Sequence, residues 1–99
     1  MFELQKDSYM TGTVKTELSQ EHQLFILNYI TRFHKQMTDY FQIFEFFVQG
    51  DHQWLLHRQE EPEIETLVKV DLQEALPISQ KVWAMDEQDH IIILLPEDY

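Results

Sequence analysis

The segment His57-Arg58-Gln59-Glu60-Glu61-Pro62-Glu63 gathers the side chains best suited to chemistry in this sequence. A guanidinium clamps a carboxylate or phosphate through paired N–H donors, and a neighbouring histidine can serve as a general base. A structural reading competes with that one. Along an extended strand His57 and Gln59 share one face, while Arg58 and Glu60 share the other. The hairpin register derived below puts Glu45 diagonally across from Arg58, within reach of a charge-assisted pair. Arg58 would then neutralise Glu45 in a half-buried sheet, since a buried charge needs a partner whether or not it does chemistry. His57 would cap the edge of that sheet. Glu45, His57, Arg58 and Glu60 form the candidate polar cluster, and no residue is assigned as catalytic.

The other chemical signatures are weak. His52 and His57 fall on opposite faces of a strand, and His22 and His34 lie on one helix more than about 10 Å apart at ~1.5 Å rise per residue. Neither spacing is that of a metal-ligand pair, and there is no cysteine to supply a thiolate. The acid runs Glu60-Glu61-x-Glu63-x-Glu65 and Asp86-Glu87-x-Asp89 read as solvated turns; the second lacks the glycine and distal glutamate of a calcium loop. A glycine-rich phosphate loop, a nucleophile elbow and a Ser/His/Asp set are all missing. No metal and no cofactor are expected.

Charge narrows the partners. Eighteen acidic residues stand against seven basic ones, a formal charge of −11 on 99 residues. Phosphate-backbone affinity comes from Lys and Arg displacing counterions, so direct nucleic-acid binding is not expected, nor is binding to anionic membranes. The seven cations are scattered and form no stripe. The longest apolar runs, Leu24–Leu27 and Ile91–Leu95, are far below the ~20 residues that span a bilayer. The acidic N-terminal residues do not resemble a signal peptide, and a cysteine-free chain suits a reducing compartment, so a cytoplasmic location is expected.

The elements that must carry these residues follow from periodicity. With 43% hydrophobic residues the chain is globular, and its length makes residues 1–99 a single domain. Tyr9–Val14 reads as a first strand. Ser19 is a good N-cap, and His22, Phe25, Ile26, Tyr29, Ile30, Phe33 and Met37 then recur at helical spacing, predicting an amphipathic helix over Gln20–Met37. From Tyr40 the period becomes two. Tyr40–Val48 and Gln53–Gln59 form a hairpin if Gly50-Asp51 makes a two-residue turn. That turn sets Phe47 opposite Trp54, Phe46 opposite Leu55, Phe44 opposite His57 and Ile43 opposite Arg58. After Pro62, the alternation of Ile64, Thr66, Val68 and Val70 reads as a strand with one wet face. Asp71–Ser79 is a connector with room for a helical turn, and Lys81–Met85 and His90–Leu95 form a second hairpin. The fold class is α+β: one long amphipathic helix packed on an antiparallel sheet of about five strands.

A family resemblance rests on Tyr9-Met10-Thr11, Asp39-Tyr40-x-Gln42-x-Phe44-Glu45, His57-Arg58-Gln59-Glu60-x-Pro62 and the closing Glu97-x-Tyr99. Together these resemble the domain-of-unknown-function family nine hundred and sixty, small proteins of Gram-positive bacteria, along essentially the whole chain. In the first motif Gly12 follows Thr11 directly, where the family pattern has an arginine between them. The resemblance implies a source and brings no activity with it.

One helix covers one face of a sheet, yet the first hairpin is apolar on both. Phe44, Phe46, Val48 and Leu55 take one side; Phe41, Ile43, Phe47, Trp54 and Leu56 take the other and are the candidate interface. The expected function is a non-enzymatic interaction module, as a homodimer or with another cytosolic protein. The alternatives are a small enzyme or ligand-binding domain using His57, Arg58 and Glu60, and a nucleic-acid charge mimic occupying the groove of a DNA- or RNA-binding protein.

Overall fold

Ser19 begins the long helix as its position requires: its Oγ accepts from the His22 amide at 3.2 Å. The computed structural model describes residues 1–99. Its strands are β1 (Asp7–Met10), β2 (Phe41–Gln49), β3 (His52–Gln59), β4 (Ile64–Val70), β5 (Gln80–Asp86) and β6 (His90–Leu94). Its helices are α1 (Gly12–Glu17) and α2 (Gln20–Phe33), the latter running into a 3₁₀ turn at His34–Gln36. The helical stretch therefore ends just short of the expected Met37, which is buried beyond it.

The fold is α+β, with one mixed sheet of order β1-β6-β5-β2-β3-β4. Five strands, from β6 to β4 in that order, are antiparallel as expected. The sixth is a correction: β1 pairs with β6 in parallel, Asp7 opposite His90 and Met10 opposite Ile93. A parallel pair needs a crossover, and here almost the whole chain lies between the two strands. The expected strand over Tyr9–Val14 is also cut short. Thr11 Oγ1 accepts from the Val14 amide at 3.2 Å and caps α1 instead. The connector from Asp71 to Ser79 contains no helical turn.

Gly50 and Asp51 both adopt positive φ, 58° and 66°, which matches the right-handed twist of a two-residue hairpin. The β2–β3 register is the one read from the sequence. The core lies on one side of the sheet only. Ile26, Tyr29 and Ile30 of α2, with Phe2, Val14 and Leu18, meet Phe44, Phe46, Leu55, Val70, Val82, Ala84, Ile91 and Ile93. Each fully buried large side chain in this layer contributes about 1.5–3 kcal/mol. Leu27 packs partly against this core, while Leu24 stays exposed. No helix is long and apolar enough to cross a membrane.

Candidate functional site

His57 lies on the helix side of the sheet, 3% exposed, stacked at 4.9 Å on Phe44. Both ring nitrogens are occupied. Tyr29 Oη lies 3.1 Å from Nδ1, and Gln42 Oε1 lies 2.6 Å from Nε2. The tautomer follows from the neighbours. Gln42 Nε2 donates to the Asp39 carbonyl at 2.9 Å and to Gln59 Oε1 at 2.8 Å, so its oxygen accepts from His57 Nε2–H. Nδ1 then accepts from the Tyr29 hydroxyl. Burial holds the His57 pKa down at about 4, and pushes the Tyr29 hydroxyl up.

The chain of hydrogen bonds continues to the end of the sheet. Gln59 Oε1 also accepts from the Thr38 and Asp39 amides at 3.0 and 3.2 Å, while its Nε2 donates to the Pro62 carbonyl at 2.9 Å. Asp39 Oδ2 accepts from the Glu61 amide at 3.1 Å. Asp39, Gln42, Phe44, His57, Gln59 and Pro62, all drawn from the two central motifs, thus form one connected patch. It staples the entry of β2 to the turn after β3. The terminal motifs meet as well, where Thr11 Oγ1 donates to Asp98 Oδ2 at 2.7 Å.

A second buried histidine repeats the arrangement at the other end of α2. His22, fully buried, contacts Ser19 Oγ at 2.7 Å through Nδ1 and Gln53 Oε1 at 2.9 Å through Nε2. Gln53 Nε2 donates to the carbonyls of Phe47 and Ile78, and its oxygen accepts from the Ile78 amide. Beside it, the Glu21 carboxylate accepts from the amides of Gln73, Glu74 and Ala75 at 2.6–2.7 Å. Those three donors, Gln73 foremost, hold its pKa below the usual carboxylate range. The candidate polar cluster named from the sequence omits His22, Gln42, Gln53 and Gln59. Their signal was legible: each is a polar residue on the buried side of its element, Gln42 in step with Phe44 and Phe46, and Gln53 and Gln59 in step with Leu55.

The candidate polar cluster does not converge. His57 faces the helices; Arg58 and Glu45 face the other side of the sheet; Glu60 is exposed in the turn after β3. No ion pair joins Glu45 to Arg58. Glu45 lies directly between Leu56 and Lys81, and Arg58 between Ile43 and Glu65. The sheet gives each residue an immediate cross-strand neighbour of opposite charge, which the diagonal reading left out. The Arg58 Nε is buried without a hydrogen-bond partner. Arg58 lines a hollow of about 430 Å³ with Glu60, Glu61, Glu63 and Glu65, so carboxylates surround it rather than a vacant anion site. His57 does not sit at the sheet edge either: its strand lies between β2 and β4.

The face away from the helices carries Phe41, Ile43, Phe47, Trp54 and Leu56, all half-buried, together with Trp83, Met85, Ile92 and the exposed Tyr9 and Leu67. None of these belongs to the core. Trp83 meets Phe41 edge-on at 5.0 Å and Tyr99 at 5.9 Å. The strand residues of this face balance in charge, Asp7, Glu45 and Glu65 beside Arg58, Lys69 and Lys81, while Glu60, Glu61 and Glu63 line the hollow at its Arg58 end.

Fold and site together define a small α+β protein with two buried His–Gln networks and one bare aromatic sheet face. The chain belongs to the family described as Staphylococcal protein of unknown function (DUF960), whose profile matches residues 7–98. A crystal structure described as a protein of unknown function from Enterococcus faecalis shares the fold, with a TM-score of 0.86 at 17% identity over 99% of this chain and 94% of that one. No curated protein matches the chain.

Proposed function

We propose that this chain is a non-enzymatic protein-interaction module of the cytosol whose contact surface is the bare sheet face. One observation carries the reading: the face opposite the helices is apolar and aromatic, and the few charges on its strands balance within a strongly acidic chain. Burying such a patch against another protein stabilises the complex at about 25 cal/mol per Å² of apolar area. Like-charge repulsion discourages another acidic protein from docking on the acidic remainder of the surface. The histidine suited to acid–base work supports the same reading from the other direction, since His57 is enclosed, doubly hydrogen-bonded and on the opposite face from Arg58.

Photo-crosslinking from single positions in a Gram-positive lysate tests this. A probe at Leu56 or Trp83 should give discrete protein adducts, while one at the exposed Glu17 of α1 should not. Adducts that form equally from both sides, or from Glu17 alone, would overturn the assignment.

A further inference from the structure

Strand β4 is one edge of the sheet, with β3 as its sole neighbour. Alternate backbone N–H and C=O groups along Ile64–Val70 therefore point outward, where a further strand can take them up. The residues that face solvent here are few and ordered: Glu65, Leu67 and Lys69, all exposed, with Leu67 at 55%. Their spacing is symmetric about Leu67, an acid two residues before it and a base two residues after it.

We infer that β4 pairs with β4 of a second copy, antiparallel and two-fold symmetric about Leu67, joining two sheets into one of twelve strands. In that register Leu67 opposes Leu67 of the second copy, and the row Leu67–Leu56 continues across the junction. Glu65 opposes Lys69 and Lys69 opposes Glu65, so both cross-strand charge pairs are complementary. Sliding the two-fold to residue 65 or 69 puts Glu65 or Lys69 opposite itself, which like-charge repulsion opposes. Only the pairing centred on Leu67 engages all seven residues of the strand. On the helix side, a groove of about 370 Å³ runs between β4 and α2, lined by the apolar Phe25, Tyr29, Phe33 and Val68 and by Asn28, Arg32 and Lys69. A two-fold perpendicular to the sheet brings the second copy's α2 to this same side, where it shields the groove from water. The bare faces of both copies then lie side by side and stay free.

This inference rests on reading the chain as an interaction module, and its test separates the two. Sedimentation at micromolar concentration should show a dimer for the natural chain. Glu65→Lys sets two lysines against each other twice, and Lys69→Glu does the same with two glutamates; each variant alone should dissociate ~10-fold or more readily. Mixed in equal amounts, the two variants are complementary at both positions and should restore the dimer, as should the double exchange in one chain. Recovery on mixing also shows that both variants fold. A monomeric natural chain, single variants as dimeric as the natural chain, or a mixture that stays monomeric would each overturn the edge pairing. Crosslinks from Leu56 and Trp83 to a different protein would persist in the single variants, so failure at the edge and failure of the bare face are read separately.

Discussion

His57 Nε2 donates to Gln42 Oε1 across 2.6 Å inside the helix-covered side of the sheet, and this bond determines the state of the ring. Gln42 has no spare donor to offer, because its Nε2 is committed to Asp39 and Gln59. The ring is thus neutral, with one hydrogen, and its second nitrogen accepts from Tyr29. Protonation would place a hydrogen on Nδ1 and a charge in a site with no carboxylate among its hydrogen-bond partners.

Acid should therefore weaken the fold earlier than carboxylate titration alone requires. The His57 pKa is about 4 in the folded chain against an ordinary value of 6.5, so the unfolded chain takes up the proton first. The stabilisation is complete above pH 6.5 and is lost as the pH falls toward 4, about 3 kcal/mol in all. Urea midpoints between pH 7 and 4.5 check this. The natural chain should lose stability over that window and His57→Phe should lose much less, despite starting lower; equal slopes would show the ring to be uninvolved.

Gln59→Leu should be among the most damaging single changes in the chain. It leaves the Thr38 and Asp39 amides and Gln42 Nε2 without their acceptor. Unmade hydrogen bonds of buried groups cost about 1–3 kcal/mol each and add incompletely, so a loss of about 2–4 kcal/mol is expected. The same substitution at exposed Gln49 should stay within about 0.5 kcal/mol. Chemical denaturation of the two variants makes the comparison, and similar losses at both positions would contradict it.

Glu45 and Arg58 should act independently. They make no ion pair, so Glu45→Ala and Arg58→Ala should combine additively within about 0.5 kcal/mol in a thermal or urea double-mutant cycle. A coupling above about 1 kcal/mol would show that the two side chains meet in solution.

Glu21 should govern the order of the connector between β4 and β5. Removing its carboxylate in Glu21→Ala frees the amides of Gln73, Glu74 and Ala75. Their hydrogen exchange should accelerate while the amides in the middle of α2 keep their protection. Unchanged exchange at these three positions would mean that the packing of Leu72 and Ile78 on the core and the bonds from Gln53 hold the connector without Glu21.

What the sequence determined by itself was local. The period of α2, the cap at Ser19, the Gly50-Asp51 turn and the resulting β2–β3 register all follow from neighbours a few residues apart. The two-sided apolar hairpin was legible for the same reason, since alternation assigns each side chain to a face before any packing is known. Tertiary structure decided the rest. Only the folded sheet shows which face the helices cover, that β6 accepts β1 in parallel, and that Lys81 and Glu65 are the cross-strand neighbours of Glu45 and Arg58. Only there does His57 become an enclosed member of a network reaching from Tyr29 to Pro62. These outcomes depend on contacts between residues far apart in the chain, and periodicity carries no information about which distant strand or helix will arrive.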